Sequence, residues 1–300
     1  MTIESSQVSC VIPYAGAEKY LQEVVRSALA QKFSEIIIVN DGCPPSQLEP
    51  VEKLPGIRII HQPRSVGCPN ARNIGLKACA TPYVVLLDHD DLLATGYLEA
   101  MLEWVTENGL RCGAATLRYI GENSRRIGAL VSRDENFFLP SGFFSELVLI
   151  KEIDYFPDSY GDDTLFFHAI RKVARLTTCP GAGVLYRIHP QAESSRNIKA
   201  WWAFSALVPL YYSGMRSLAE INTMARDYAA SGTIPPGLES RLSHASAAQA
   251  RLLGRSTYAC WLNRDFPGLA RYGFKLLQHL PELTRIIRKK WMAKRPQAAV

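Results

Sequence analysis

Three aspartates lie close together directly after an apolar run in the first third of the chain. Asp88, Asp90 and Asp91 follow the run 83–87, and only His89 separates them. Carboxylates this close repel one another, and a divalent cation removes that cost. Hard cations prefer oxygen ligands, and Mg²⁺ usually takes one or two carboxylates together with phosphate oxygens of its substrate. The triplet therefore indicates a divalent-cation site, although a solvated turn beside a helix cap would show the same residues.

Two other acidic positions could act on a ligand. Asp41 closes a β-branched run and could accept a hydrogen bond from a base or a ribose, or form an Asx turn with its own backbone. Asp163 follows Asp162 at the start of a predicted helix, where the helix dipole favours acids in any protein. A hydroxyl is a poor nucleophile, so a carboxylate at Asp163 could also serve as the general base that activates one.

Two basic segments offer partners for phosphate. Alternation along Tyr186–His189 puts Arg187 and His189 on one face of a predicted strand. Together they could hold a diphosphate or complete a metal shell, or they could form a surface strand edge. Arg72 comes soon after the flexible Gly67 and could reach a nucleotide phosphate or base, or pair with a surface carboxylate.

Short, wholly apolar runs alternate with segments of helical spacing in the first half of the chain. This alternation is typical of a parallel sheet covered on both faces. Such sheets bind ligands at the carboxyl ends of their strands, which is where Asp41 and the aspartate triplet fall. The predicted strands are 8–12, 36–39, 57–60 and 83–87, and the predicted helices are 19–31, 70–80 with Asn70 as N-cap, and 95–107 with Thr95 as N-cap.

Beyond residue 109 the alternation weakens. A strand is predicted at 113–119, a helix at 163–173 and a strand at 184–188, and the chain from 199 onward is predicted to be helical. With 47% hydrophobic and 21% charged residues the composition is that of a globular protein. We predict one α/β domain over residues 1–196 and a helical region over residues 197–300.

The net charge and the cysteines indicate which ligands and which cellular compartment to expect. The net charge of +6 suits an anionic ligand or membrane surface, and no recognition-helix or aromatic-platform pattern points to nucleic acid. Seven cysteines without metal or redox spacing indicate a reducing compartment. The first residues are polar, and no apolar stretch reaches the roughly 18 residues of a membrane span. We therefore expect a cytoplasmic protein.

The basic segment 276–291 could lie on the inner face of the cytoplasmic membrane, or pack on the main domain with its basic face in water.

In their order along the chain, these segments resemble the family 2 glycosyltransferases, which have the GT-A fold. Each piece is short, and the collinear order over residues 8–196 carries the resemblance. The matching segments are Val8–Tyr14 with Ala17–Leu21 for the first strand and helix, Ile37–Cys43 for "VVDDGS", Gly67 with Ala71–Gly75 for "GxxxARNxG", Tyr83–Asp91 for "YIxFLDxDD", Gly161–Asp163 for "GED" and Tyr186–His189 with Ser194–Ser195 for "YRxH…S".

The resemblance implies a nucleotide-sugar donor and a divalent metal, Mn²⁺ or Mg²⁺. Asp163 would be the catalytic base, and Asp90 would ligate the metal, assisted by Asp88 and His189. The donor would be bound by a set that overlaps with these residues, namely Pro13, Tyr14, Asp41, Gly67, Arg72, Asp88 and His189. The chain departs from the family pattern at Asn40, which replaces an acid, at Cys43, which replaces a serine, at Ala15–Gly16, where Tyr-Asn is common, and at Asp162, which replaces the usual glutamate.

The implied reaction is a single inverting displacement from a UDP-sugar to the hydroxyl of a saccharide or lipid-linked saccharide, in the assembly of a cell-surface polysaccharide or glycan. A sugar nucleotidyltransferase is the alternative enzyme, but such enzymes usually carry a Gly-rich basic loop where this chain has Tyr14–Glu18. The chain has no GxGxxG after its first strand, as a dinucleotide-binding oxidoreductase would, and no Gln-x-x-Arg-Trp segment of processive synthases. Outside enzymes, the alternative is a catalytically silent binding protein with the same fold.

Overall fold

The computed structural model describes residues 2–16, 18–121, 138–189, 192 and 198–231. The described residues up to 189 form one compact unit, and those from 192 belong to a second. The sequence boundary between residues 196 and 197 stays a prediction.

Over its described residues, the first unit is built around a mixed sheet of eight strands in the order β3-β2-β1-β4-β7-β6-β8-β5. Most neighbouring strands are parallel, and β7 and β5 run antiparallel to their neighbours. The expected mostly parallel sheet is therefore confirmed. Its strands are β1 Val8–Tyr14, β2 Glu35–Asp41, β3 Ile57–Gln62, β4 Tyr83–Leu86, β5 Leu92–Leu93, β6 Cys112–Gly121, β7 Phe143–Glu146 and β8 Thr178–Ile188.

Helices cover both faces of this sheet. Alternate residues of a strand point to opposite faces, and β1 shows the result, because Cys10 and Ile12 belong to one buried cluster and Val11 to another. The first cluster is completed by α1, α2 and α4, and the second by α3, α5 and α6. These helices are α1 Glu18–Leu29, α2 Glu49–Glu52, α3 Cys68–Ala78, α4 Tyr97–Glu107, α5 Leu147–Glu152 and α6 Asp162–Val173.

Two predicted helix starts are wrong for a common reason. Asn70 and Thr95 are the residue types that usually cap helices, yet the N-caps are Gly67 at φ 86° and Gly96 at φ 74°. Asn70 instead donates a hydrogen bond from Nδ2 to the Val66 carbonyl oxygen, at 2.9 Å. Backbone geometry that favours glycine therefore sets both starts, ahead of side-chain capping.

The first strand runs on through Pro13, where the sequence predicts its end. Proline lacks the amide that a central strand needs. Val11 faces β4, because its carbonyl oxygen accepts from the Leu87 amide at 3.0 Å. Pro13 faces the same side two residues later, beyond the end of β4 at Leu86, so its missing amide leaves no strand partner unsatisfied.

The described part of the second unit contains two helices, α7 Ile198–Tyr212 and α8 Leu218–Ser231, which pack against each other. Ser217 and Glu220 form a reciprocal cap at the start of α8, with bonds of 2.8 and 3.3 Å. The prediction of helix from residue 199 is thus confirmed as far as residue 231, and the basic segment 276–291 lies outside the described residues. None of the helices within the described ranges has the length and apolar character needed to cross a membrane.

Candidate active site

The site begins where β2 ends, at Asp41. Its Oδ1 accepts a hydrogen bond from the Val66 amide at 2.5 Å, and its Oδ2 accepts from Ser65 Oγ at 2.7 Å and from the Gly67 amide at 3.1 Å. The alternative of an Asx turn in which Asp41 bonds its own backbone is therefore wrong. A carboxylate that accepts three hydrogen bonds from one loop fixes that loop in place, so Asp41 shapes the loop that leads into α3.

The neighbouring Asn40 makes the local turn that Asp41 does not. Its Oδ1 accepts from the Cys43 amide at 2.9 Å, and its Nδ2 donates to the Cys43 carbonyl oxygen at 2.9 Å. Gly42 between them has φ 79°, and a Cβ there would lie 2.4 Å from the Ser65 amide nitrogen. Only glycine fits this approach of two loops, and the asparagine that replaces the family's usual acid is a turn residue here.

Arg72 of α3 joins two acidic segments that are far apart in sequence. Its guanidinium donates to Asp88 Oδ1 at 2.7 Å and to Asp162 Oδ2 at 2.9 Å. Burial opposes the charged guanidinium, but Asp88 and Asp162, with Cys68, outweigh it and raise the pKa of Arg72 well above its ordinary value. The pairing of Arg72 with a surface carboxylate is therefore wrong, because the arginine is buried and its partners are half-buried.

Asp163 stands beside this buried pair, in the first turn of α6. Its Oδ1 accepts from the Thr164 amide at 2.7 Å. Burial raises the pKa of the Asp163 carboxyl, Thr164 and Arg72 lower it, and the charge of Asp88 raises it again. Arg72 and Asp88 thus act on Asp163 electrostatically, so the candidate base belongs to the same charged group.

A second pair forms at the end of β8. His189 Nε2 lies 2.8 Å from Asp90 Oδ2, and the His189 ring packs on Tyr20 of α1 with centroids 5.1 Å apart. The imidazole is buried, and its Nδ1 has no hydrogen-bond partner among the described residues. The aspartate and histidine that the sequence proposes as metal ligands therefore meet.

Arg187 fixes the loop that carries this second pair. Its Nε donates to the Asp90 carbonyl oxygen at 2.8 Å, and its terminal nitrogen donates to Glu23 of α1 at 2.6 Å. The guanidinium also lies 4.3 Å from the centre of the Tyr20 ring. A surface strand edge is a wrong description of Arg187, since the side chain is largely buried by these contacts.

Asp91 has a role different from those of the other two aspartates of the triplet. It is 0% exposed, and its Oδ1 accepts from the Arg187 amide at 2.8 Å. Burial, with Asp90 and Asp88 nearby, raises the pKa of Asp91 well above its ordinary value. Because Asp91 is turned into the protein, the triplet leaves only Asp88 and Asp90 near the edge of the sheet.

Pro13 and Tyr14 end β1 next to this group. Tyr14 is buried, and its hydroxyl donates to Gln47 Oε1 at 3.0 Å. Its ring meets His89 edge-on, with centroids 5.8 Å apart. Tyr14 therefore supports the turn that contains Asp88 and Asp90, and a direct role for Pro13 and Tyr14 in donor binding stays a prediction.

The predicted metal ligands divide between two partners. Asp88 faces Arg72, whereas Asp90 faces His189. Within the described ranges, no three His, Cys, Asp or Glu side chains gather in a group that could hold an ion by themselves. The metal set of Asp88, Asp90 and His189 stays a prediction.

Sequence reasoning missed several residues that hold this arrangement. Tyr20 and Glu23 of α1 and Asn73 of α3 make contacts to the site or to its supporting loops. For Asn73 a signal was available, because it belongs to the Ala71–Arg72–Asn73 segment that supports the family resemblance. Tyr20 also belongs to such a segment, Ala17–Leu21, whereas Glu23 does not. For both residues, only the fold reveals the partners.

The sheet and the charged residues at its edge define a class of protein. The glycosyl transferase family 2 model matches residues 9–161, just over half of the 300 residues. The chain therefore belongs to glycosyl transferase family 2, as the sequence motifs indicate.

Similar proteins from bacteria are also named as glycosyltransferases. The uncharacterized glycosyltransferase EpsJ of Bacillus subtilis (strain 168) is 35% identical over 109 residues, which is 34% of this chain and 31% of EpsJ. An uncharacterized glycosyltransferase of Haemophilus influenzae is 26% identical over 220 residues, which is 63% of this chain and 67% of that protein. The match thus leaves most of EpsJ uncovered.

Solved structures share the architecture. S. aureus TarS 1–349 in complex with UDP-GlcNAc matches with a TM-score of 0.56 at 16% identity, covering 91% of this chain and 92% of that one. TarS 1–349 in complex with UDP matches with a TM-score of 0.54. At this identity the likeness shows the fold alone, and it confirms the GT-A fold predicted from the sequence.

Proposed function

We propose that the protein transfers a sugar from a nucleotide diphosphate sugar, a UDP-sugar by preference, to an acceptor hydroxyl with inversion at the anomeric carbon. One observation carries the proposal. Asp41, the Arg72–Asp88 pair, the Asp90–His189 pair and Asp163 all lie at the ends of the strands or at the start of α3 and α6. Parallel sheets bind their ligands at this edge.

In the proposed reaction, the nucleotide lies at the end of β2. Asp41 holds the loop 65–67 in place, and the backbone freedom of Gly67 lets the chain approach the ligand there. Arg72 keeps Asp88 ordered beside the ribose or the metal and sets the charge near the diphosphate. The leaving diphosphate would then lie between the Arg72–Asp88 and Asp90–His189 pairs.

The Asp90–His189 pair fits a divalent metal. A carboxylate suits Mg²⁺ and Mn²⁺, and imidazole is a common metal ligand. Asp90 Oδ2 and His189 Nε2 lie 2.8 Å apart, close enough for both to bind one cation. Phosphate oxygens of the donor would complete the coordination. Such a metal supplies positive charge that neutralises the departing diphosphate. The chain's own part is to hold the two ligands together through Arg187 and Tyr20.

Asp163 is the proposed general base. The acceptor oxygen forms a bond to the anomeric carbon while the bond from that carbon to the diphosphate oxygen breaks, and the acceptor proton passes to Asp163. A partly buried carboxyl with a raised pKa is a better proton acceptor than an ordinary aspartate. The nucleotide diphosphate leaves on the opposite face of the sugar, which gives inversion.

The acceptor is proposed to be a saccharide or a lipid-linked saccharide used in cell-surface polysaccharide or glycan assembly, in the cytoplasm. The six described cysteines are free, which suits a reducing compartment. A basic segment at 276–291 would bring the protein to anionic lipid. Flotation of the protein with anionic and with zwitterionic vesicles tests this, because binding that persists after removal of residues 271–300 would place the contact elsewhere.

UDP release from UDP-GlcNAc tests the reaction directly. We expect slow hydrolysis of this donor with Mn²⁺ present and faster UDP release with a hydroxyl acceptor. In the Asp163→Asn variant the acceptor-dependent release should be about 10²–10⁴-fold slower. The alternative enzyme, a sugar nucleotidyltransferase, would instead release pyrophosphate from UTP and a sugar phosphate. Pyrophosphate release without turnover of any nucleotide diphosphate sugar would reject the proposed function.

A further inference from the structure

A side chain of α3 clasps the backbone of the segment that leads into α6. Asn73 Nδ2 donates to the Phe156 carbonyl oxygen at 2.8 Å, and the Phe156 amide donates to Asn73 Oδ1 at 3.0 Å. A carboxamide has both a donor and an acceptor on one plane, so it can imitate a main-chain partner. One side chain thereby fixes both the position and the orientation of Phe156.

The two residues before this clasp have a backbone conformation that needs support. Asp154 has φ 59° and Tyr155 has φ 64°, in the left-handed region that side chains with a Cβ disfavour. Lys77, one turn after Asn73 on α3, places its Nζ 5.0 Å from the centre of the Tyr155 ring. Strain of this kind persists only where the surroundings hold it. The Asp154 and Tyr155 amides donate to the Lys151 and Ile150 carbonyl oxygens of α5 at 3.2 and 3.1 Å. The end of α5 therefore holds these two residues, and α3 holds the next one, Phe156.

Phe156, which Asn73 holds through its backbone, also contacts the start of α6. Its ring stacks on Phe166 of α6 with centroids 3.8 Å apart and an interplanar angle of 3°. The Arg72 guanidinium lies 5.3 Å from the centre of the same ring and binds Asp162. Phe166 and Asp162 flank Asp163 in α6, so α3 fixes the helix on both sides of the candidate base.

We propose that Asn73 is a positioning residue, which sets the place of Asp163 by clasping Phe156. This rests on the proposed function, in which Asp163 is the general base. Asn73 acts through the backbone of Phe156 and the stacked ring, and it is distinct from the residues proposed to bind the donor. A purely structural Asn73 would lower the stability of the protein without a specific effect on the base.

Removal of the clasp should slow the reaction and leave nucleotide binding intact. We expect Asn73→Ala to lower kcat for UDP release from UDP-GlcNAc by about 10²-fold, the cost of a small misplacement of a catalytic group, with an unchanged Kd for UDP. Asn73→Asp keeps the acceptor for the Phe156 amide and loses only the donor. Its kcat should therefore lie between those of the wild type and Asn73→Ala. Asn108→Ala is the matched control, because it removes a single asparagine bond of 2.8 Å to the Trp104 carbonyl oxygen on α4.

A double mutant separates positioning from general destabilisation. If Asn73 acts through Asp163, adding Asn73→Ala to Asp163→Asn causes no further loss, because residues that act as a unit are not additive. Additive losses would overturn the role of Asn73 and leave the base assignment standing. Full turnover by Asp163→Asn alone would overturn the base assignment itself.

Hydrogen exchange checks the clasp without any turnover. The Phe156 amide and the peptide 154–161 should exchange faster in Asn73→Ala than in the wild type and in Asn108→Ala, because the amide has lost its acceptor. Unchanged exchange in a folded Asn73→Ala protein would overturn the proposal. Faster exchange together with wild-type turnover would also overturn it, since the clasp would then have no influence on the base.

Discussion

The charged residues of the candidate site hold one another through ion pairs and hydrogen bonds. Arg72 bridges Asp88 and Asp162, and His189 meets Asp90. Preorganised charges of this kind need little rearrangement when charge develops on a leaving group. The types of these residues could be predicted from the sequence. The partner of Arg72 at Asp162 could not, because only the packing of α6 beside α3 brings the two together.

The first residue-scale prediction concerns the base. We expect Asp163→Asn to fold and to bind UDP as the wild type does, but to transfer sugar about 10²–10⁴-fold more slowly, the usual contribution of a general base. Asparagine keeps the shape and an acceptor for the Thr164 amide. Rate measurements at saturating donor check this, and a variant with wild-type kcat would remove Asp163 from the role.

The pH dependence of kcat/KM follows from the same carboxyl. Burial outweighs the opposing contacts of Thr164 and Arg72, so the pKa of Asp163 is raised above its ordinary value. A base works ionised, so the rate should fall as pH drops through this raised pKa, and the acid limb should lie above the usual position for aspartate, about 3.9. Asp163→Glu should move the limb, whereas Glu49→Gln, at an exposed carboxylate, should leave it in place.

Metal-dependent nucleotide binding tests Asp90. Removal of this carboxylate leaves His189 without its partner and the proposed cation without a charged ligand. We expect Asp90→Ala to weaken UDP binding in Mn²⁺ by about 10–100-fold, as loss of groups around a metal typically does, and to leave the weak binding in EDTA unchanged. Titration calorimetry with Glu49→Ala as control measures both, and unchanged affinity in Mn²⁺ would count against the assignment.

At the scale of elements, the strands whose residues are apolar throughout are the ones that the sequence predicts well. β1, β2 and β4 are buried along nearly their whole length, so an apolar run is a sufficient signal. β7 and β5 were missed, because β7 is set by pairing between β4 and β6 and β5 has only the residues Leu92–Leu93. Whether such short segments form strands depends on pairing with residues distant in sequence, which the local sequence pattern does not reveal.

Gly42 and Gly56 have the same backbone conformation, but only Gly42 lies against the loop held by Asp41. Gly42 and Gly56 both have φ 79°, but a Cβ at Gly42 would lie 2.4 Å from the Ser65 amide nitrogen, whereas Gly56 has nothing within 4 Å. Gly56→Ala should therefore cost only about 1–2 kcal/mol for its left-handed backbone. Gly42→Ala should cost about 1–3 kcal/mol more, because the loop must shift.

Urea unfolding of the two variants measures this difference. Gly42→Ala should also weaken UDP binding, since the displaced loop includes the residues 65–67 that Asp41 anchors. Gly56→Ala should bind UDP normally. Equal losses of stability in both variants would show that the approach of the two loops does not constrain the chain.

At the scale of the whole molecule, the sheet explains why separate segments form one site. Asp41 ends β2, the loops that contain Asp88 and His189 follow strands that end at the same edge, and Asp163 reaches that edge in the first turn of α6. Buried apolar clusters on both faces fix the strands. The chain order of the motifs was enough to predict this fold, because the order of parallel strands and helices limits the possible topologies. The detailed pairing of charges depends on helix packing, which the order of motifs does not determine.

Ligand binding at this edge should stabilise the entire first unit, because all of its strands support the site. A ligand at about 100 times its Kd adds about 2.7 kcal/mol to the free energy of unfolding, and for a domain of this size each kcal/mol shifts Tm by about 2–4 °C. We expect UDP with Mn²⁺ to raise Tm by about 5–10 °C on this basis, and GDP, CMP and dTDP to raise it less. Differential scanning fluorimetry in the same Mn²⁺ buffer measures the Tm shift that each nucleotide causes in the wild type and in Asp90→Ala. Equal shifts with all four nucleotides, or a UDP shift that Asp90→Ala retains in full, would contradict a uridine-binding, metal-assisted site at the ends of these strands.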